Sequence, residues 1–221
     1  TNAASIPITI TFSEEISVFS SNDVSITNGT ISSFSTADNI VYTFNAQPTI
    51  TAGSLTISVA EDVTSDLAGN ENEASNQISL TIDQISPTVI INTLAATPTN
   101  VATFSAVVTF NEEVTGFVPG DISITNGSIS NFMTSDNLVF TMDITALAEG
   151  DVDVSIPILV AMDRAGNDNA SSNEITVTVD QTLPSIGTKA TTQSGVTSSQ
   201  VIDYRYDRRE EVVGYTAEDL D

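Results

Sequence analysis

The chain contains no cysteine, no histidine and no tryptophan. Without cysteine it has no disulfides, no thiolate metal ligands and no thiol nucleophile. Without histidine it lacks the usual general base and the commonest transition-metal ligand. Disulfides are the ordinary staple of small secreted domains, so a secreted chain of this kind needs another, and bound metal is one. Long apolar runs are missing too: none approaches the ~20 residues of a membrane-spanning helix. Neither an initiator methionine nor a basic segment followed by an apolar one opens the chain, and its pattern begins midway, as expected of a fragment.

Positive charge is the scarcest commodity. Five Lys and Arg face 29 Asp and Glu, a formal net charge of -24. Residues 1–163 carry no basic side chain at all; Arg164 stands alone, and Lys189, Arg205, Arg208 and Arg209 lie in the last segment. Nucleic acid and anionic membrane surfaces are poor partners, because both require a positive footprint. Carboxylates in the first 180 residues must be solvated or neutralised by a cation that is not a side chain. A solubilising acidic surface accounts for most of them, but not for those that recur in register.

What is present is repetition. Phe12-Ser13-Glu14-Glu15-Ile16 returns as Phe110-Asn111-Glu112-Glu113-Val114, 98 positions on. Thr27-Asn28-Gly29 returns as Thr125-Asn126-Gly127, and Asp38-Asn39 as Asp136-Asn137. Asp66-Leu67-Ala68-Gly69-Asn70 returns as Asp163-Arg164-Ala165-Gly166-Asn167, now 97 on, and Asp83-Gln84 returns as Asp180-Gln181. The chain therefore divides into 1–83, a repeat without its opening strand; 84–180, a complete repeat; and 181–221, the start of a divergent third. In that third copy Arg209-Glu210-Glu211 takes the place of Asn111-Glu112-Glu113, behind an apparent Asp207-Arg208 insertion.

Each repeat reads as strands. Ile6, Ile8, Ile10 and Phe12 alternate with Pro or polar residues, as do Phe104, Ala106, Val108 and Phe110, and again Phe140, Met142 and Ile144. Period two with one apolar face marks a half-buried antiparallel strand. Asn28-Gly29 and Asn126-Gly127 fall between strand patterns and are expected to form tight hairpin turns. No helical period is sustained. Many short strands in units of about 100 residues predict an all-β chain of tandem Greek-key β-sandwich modules with an immunoglobulin-like topology.

Placed on such a sandwich, Glu112-Glu113 follow the second strand, and the 163–167 loop joins the last two. Both loops lie at the end where the chain enters, beside the linker acid Asp83. Asp83, Glu112, Glu113, Asp163 and Asn167 are thus expected to meet at a domain junction. Converging carboxylates repel unless neutralised, and a hard cation that takes six to eight oxygens, Ca²⁺, suits them. Mg²⁺ prefers fewer protein ligands, and zinc prefers His or Cys. The glycine of each Ala-Gly-Asn turn permits the sharp loop required. The first repeat offers Glu14, Glu15, Asp66 and Asn70, and the third Asp180, Glu210 and Glu211. Asp23, Asp121 and Asp219 recur just before strands and read as turn residues.

Together these elements resemble the bacterial immunoglobulin-like repeats of large secreted surface adhesins and filaments. The resemblance covers residues 1 to about 185. It implies extended rods stiffened by calcium at the junctions, with neighbouring repeats of the same chain as principal partners, at the bacterial cell surface or outside the cell. The expected function is a non-catalytic stalk. The alternatives are a repeat that itself binds a polysaccharide or surface ligand, with Phe117 and Tyr215 as candidate contacts, and a spacer appended to a secreted enzyme. Catalysis by the repeat is disfavoured, since Glu112 and Glu113 have copies in every repeat, and no phosphate loop or Gly-x-Ser-x-Gly elbow occurs. Asn28, Asn126 and Asn169 head glycan sequons; the first two are better read as turn residues and the third as a loop residue.

Overall fold

The structure is a computed structural model and describes residues 1–186. The first module holds β1 (Ile6–Thr11), β2 (Val24–Thr27), β3 (Gly29–Thr36), β4 (Val41–Pro48), β5 (Ala52–Val59) and β6 (Ile78–Asp83). The second holds β7 (Val89–Thr93), β8 (Thr103–Phe110), β9 (Ser123–Thr125), β10 (Gly127–Thr134), β11 (Val139–Ala146), β12 (Gly150–Ser155) and β13 (Ile175–Val179). No α-helix occurs among the described residues; two short 3-10 turns precede β2 and β9.

In the second module the sheets are ordered β7-β8-β11-β10 and β9-β12-β13. This is the four-plus-three arrangement of constant-type immunoglobulin domains. The first module repeats it with one strand fewer, as β1-β4-β3 and β2-β5-β6. The alternation of the sequence becomes the alternation of burial: β8 reads exposed–buried four times over, with Phe104, Ala106, Val108 and Phe110 inward. Ile91, Val108, Ile144 and Val152 are fully buried at the centre. Each such side chain contributes about 1.5–3 kcal/mol on burial. At the entry end Phe110, Phe117, Phe132 and Phe140 form an aromatic cluster, with Phe117 edge-on to Phe110 and Phe140 at 5.3 and 5.0 Å.

The Asn-Gly pairs are not hairpin turns. The strands that flank each belong to opposite sheets, so Asn28-Gly29 and Asn126-Gly127 carry the chain from one sheet to the other. Asn supplies the left-handed backbone, at φ 62 and 54. Glycine is needed for a different reason, namely close approach. A Cβ on Gly127 would lie 2.7 Å from Ile124 Cδ1 and 3.1 Å from Val152 Cγ1; one on Gly29 would lie 2.8 Å from Leu55 Cδ1. Gly127→Ala is therefore expected to destabilise the second module by about 1–3 kcal/mol, the usual cost of overpacking. Urea unfolding would show it as a lower midpoint with an unchanged slope. The Asp38-Asn39 and Asp136-Asn137 pairs do make the β3–β4 and β10–β11 turns, each aspartate accepting two backbone N–H groups beyond it.

In each module the segment that leads into the β8-type strand is also clasped to the last strand. Thr99 runs parallel to β13: its N–H donates to Thr178 O at 2.9 Å, and Asp180 N–H donates to Thr99 O at 2.8 Å. In the first module the N–H of Asp83 likewise donates to Thr1 O at 3.0 Å.

Candidate metal centre

Two loops meet at the entry end of the second module. After β8 the chain carries Glu112 to Val114, whose buried side chain anchors the loop in the core. The next residue, Thr115, exchanges backbone hydrogen bonds with Met162 at 2.7 and 3.0 Å. That bridge sets the 163–167 loop beside Glu112. Gly166, at φ 93, turns the loop back on itself. Asp163 then accepts from the N–H groups of Gly166 (2.7 Å) and Asn167 (2.8 Å), and from Asn167 Nδ2 (2.7 Å). Asn167 Nδ2 also donates to the backbone carbonyl of Asp83 at 3.0 Å. The loop of one module thereby grips the linker leaving the other, and Asn2 Nδ2 adds a second tie to Gly166 O at 2.8 Å.

The outcome is a carboxylate triad. Asp83, Glu112 and Asp163 each present an oxygen, and these oxygens lie within 4.8 Å of one another. That separation does not exceed twice the ~2.4 Å calcium–oxygen distance, so one ion fits between them. Asp163 is only 4% exposed. Burial, followed by the charges of Asp163 and Asp83, raises the Glu112 carboxyl above its ordinary value. At Asp163 burial also pushes upward, but Asn167 and the loop N–H groups outweigh it and hold the carboxyl below its ordinary value. The site thus combines one carboxyl held below its ordinary value and one raised above it, by burial first and then by the neighbouring acids.

The other expected ligands are placed differently. Glu113 faces solvent and pairs with Arg164 at 3.6 Å, both exposed, a contact of little energetic weight. In the bend that follows β8, Glu112 is half-buried beside Asp83 and Asp163 while Glu113 is exposed. Asn167 turns its amide nitrogen to Asp163 and Asp83 and acts as their clamp. In the first module the same loop is formed, with Asp66 accepting from Ala68 N, Asn70 N and Asn70 Nδ2. The 65–66 stretch bridges to Ile16 and Ser17. Yet Glu14 and Glu15 are exposed, and no third acid joins Asp66 to complete a triad among the described residues. Asp180 ends the second module as Asp83 ends the first, its Oδ1 accepting from Thr182 N as Asp83 Oδ1 does from Ile85 N. Its expected companions, Glu210 and Glu211, lie outside the described residues, as does Tyr215.

Asp23 and Asp121 are turn residues: Asp23 accepts from Ser20 N, and Asp121 from Val118 N. One structural residue is not apparent from the motifs. Asn169, 2% exposed, accepts from Val160 N and Ala161 N and donates to Pro157 O and Ala170 O. Asn72 does the same with Val63, Thr64, Ala60 and Glu73. These asparagines pin the loops that carry Asp163 and Asp66. A buried amide with all its hydrogen bonds made is no glycan acceptor.

The family described as bacterial Ig-like domain matches residues 1–82 and again 83–179. The chain belongs to that family. Similar solved structures include InvD of Yersinia pseudotuberculosis, at 16% identity over 89% of this chain and 57% of that one, with a TM-score of 0.36. The Escherichia coli adhesin FdeC matches at 12% identity over 71% of this chain and 51% of that one, with a TM-score of 0.33. The Yersinia pseudotuberculosis adhesin InvE matches at 15% identity over 81% and 55%, with a TM-score of 0.28. This chain of Ig-like modules thus spans little more than half the length of each. No curated protein matches it.

Proposed function

We propose that these Ig-like modules form a calcium-stiffened segment of an extracellular stalk, part of a large adhesin on the bacterial surface, with no catalytic role. The supporting observation is the triad. Its three carboxylates come from two modules, with Asp83 on the linker and Glu112 and Asp163 on the loops that receive it. Calcium bound there would tie the linker to the second module and limit bending between the two. Asp83, Glu112 and Asp163 would hold the ion, with Asn167 orienting two of them. Calcium would supply charge neutralisation and directed bonds to oxygen. Among the described residues, the candidate contact for direct polysaccharide binding, Phe117, is 6% exposed and packed into the aromatic cluster, which favours the stalk.

Thermal unfolding in EDTA and in a calcium series tests this reading. Extracellular calcium modules bind at about 10⁻⁴–10⁻³ M. At 100 times the dissociation constant the folded state gains about 2.7 kcal/mol, which raises Tm by roughly 10 °C or more for a module of this size. Magnesium should do far less. Asp83→Ala should keep the EDTA transition of both modules and lose most of the calcium shift. If wild type unfolds at the same temperature with and without calcium, the stalk is metal-independent.

Acidity gives a second readout. Glu112 has a raised folded-state pKa, so without calcium its contribution to stability is complete below its unfolded value and is lost as pH rises through the folded one. Calcium reverses the preference, because it binds the ionised form. The calcium-induced Tm shift should therefore shrink on acidification, starting above the ordinary glutamate range.

A further inference from the structure

Two modules on one chain move relative to each other unless something removes the freedom between them. A hinge needs residues whose φ and ψ can change. Between β6 and β7 there are few. Gln84 is held by the first module: its N–H donates to Thr51 O at 2.7 Å, and its Nε2 donates to the carbonyls of Asn2 and Ala3 at 3.4 and 3.3 Å. Pro87 and Thr88 are held by the second: Ala170 N donates to Pro87 O at 2.9 Å, and Asn111 N donates to Thr88 O at 3.0 Å. Only Ile85 and Ser86 lie between. The N–H of Ile85 is taken by Asp83 Oδ1 at 3.1 Å. Ser86 precedes a proline, whose ring disfavours the helical region and keeps the backbone extended. Across this short gap the modules are also tied directly, by Asn2 Nδ2 on Gly166 O and by Asn167 Nδ2 on Asp83 O. With Gln84 on Asn2 O, these bonds close a ring from Asn2 to Gly166 and Asn167, on to Asp83 and Gln84, and back to Asn2. The two ties reach different segments of the first module, so a pivot about one stretches the other.

We propose that the 83–87 linker and this ring of amide hydrogen bonds form a metal-independent lock that fixes the angle between the two modules. Asn2, Gln84 and Asn167 are its positioning residues. Calcium at the triad would add to the lock, not create it. The Asp-Gln pair then divides its labour: the glutamine grips the module it leaves, and the aspartate presents its carbonyl and carboxylate to the module ahead. The backward grip is repeated at the next linker. Asp180 N–H donates to Thr99 O as Asp83 N–H donates to Thr1 O, and Gln181 Nε2 donates to Asn100 O at 3.3 Å as Gln84 Nε2 does to Asn2 O. Thr182 N donates to Asp180 Oδ1 at 3.0 Å, and Pro184 follows at the spacing of Pro87. Both linkers thus leave their modules by the same path.

The chain has no cysteine, so Thr43→Cys and Thr141→Cys, both at exposed positions on β4 and β11, place one spin label on each module of the full chain. Pulsed dipolar distance measurements in EDTA should give one narrow distribution. Asn2→Ala and Gln84→Ala should each lower the ratio of docked to undocked molecules, by about 2–10-fold for each hydrogen bond lost. Asn2 is exposed, so its variant should leave the unfolding temperature of both modules unchanged. A narrow distribution in EDTA, with no response of distance or Tm to calcium, would support the lock and sink the calcium reading. A broad distribution in EDTA that narrows only on adding calcium would overturn the lock and leave the calcium reading standing. Wild-type distributions in EDTA for both variants would overturn the lock as well.

Discussion

Asn169→Ala should lower the stability of the second module by about 3–5 kcal/mol, enough to remove a large fraction of a typical domain's margin. The side chain is 2% exposed and satisfies the N–H groups of Val160 and Ala161 and the carbonyls of Pro157 and Ala170. Alanine leaves all four backbone groups without that partner in a place where water does not readily replace it. Each buried group left unpaired costs about 1–3 kcal/mol, and partial relaxation of the loop recovers some of it. Asn169→Asp is the sharper comparison. It retains the two accepted bonds, loses the two donated ones, and places a charge where Pro157 and Ala170 present oxygens. Chemical unfolding of both variants, with the first module as internal reference, checks the expectation. A loss below about 1 kcal/mol for Asn169→Ala would mean that the loop is held by something else.

Asp163→Ala should have two separable effects. In EDTA the 163–167 loop loses the acceptor for Gly166 N, Asn167 N and Asn167 Nδ2, at a net cost of about 2 kcal/mol, since relief of repulsion on Glu112 offsets part of the loss. In calcium the response itself should vanish. Losing an outer orienting partner typically costs about 10–100-fold in metal affinity, and losing a buried charged ligand should exceed that. Asp163→Asn separates the two in part: its Oδ1 still accepts from Gly166 N and Asn167 N, while its Nδ2 replaces the oxygen that accepts from Asn167 Nδ2 and the charge is gone. It should be less destabilised in EDTA than Asp163→Ala and still fail to respond to calcium. If Asp163→Asn retains the full calcium shift, the Asp163 carboxylate is not a ligand.

Much of this architecture was legible in the residue order, because period-two alternation follows directly from the pleat. Ile8, Phe44 and Val108 are inward for the same reason that their neighbours are outward. The convergence of Asp83, Glu112 and Asp163 was legible as well, once the repeat offset showed which acids keep their register. The Asn-Gly pairs misled because asparagine at positive φ looks alike in a hairpin and in a crossing between sheets; only the close packing of Ile124 and Val152 against Gly127 distinguishes them. Glu113 was expected beside Glu112, but in the bend after β8 only Glu112 lies with Asp83 and Asp163, and nothing in the sequence of that bend says which of the two turns inward. Asn72 and Asn169 share the 97-residue offset of the aspartate loops, but their neighbours differ. Nothing local announces that an asparagine will be swallowed by four backbone partners.

The clasp between Thr99 and β13 governs how a module responds to tension. When the two ends of the module are drawn apart, the segment between β7 and β8 slides along the parallel β13, and the bonds from Thr99 to Thr178 and Asp180 are loaded together instead of peeling apart in turn. A link loaded in shear fails at higher force than the same bonds opened one by one. The corresponding bond between Thr1 and Asp83 gives the first module a similar closure. Resistance to stretching is thus built into the backbone of each unit, while Asp83 concerns the joint between units, so rupture strength and flexibility can be altered separately.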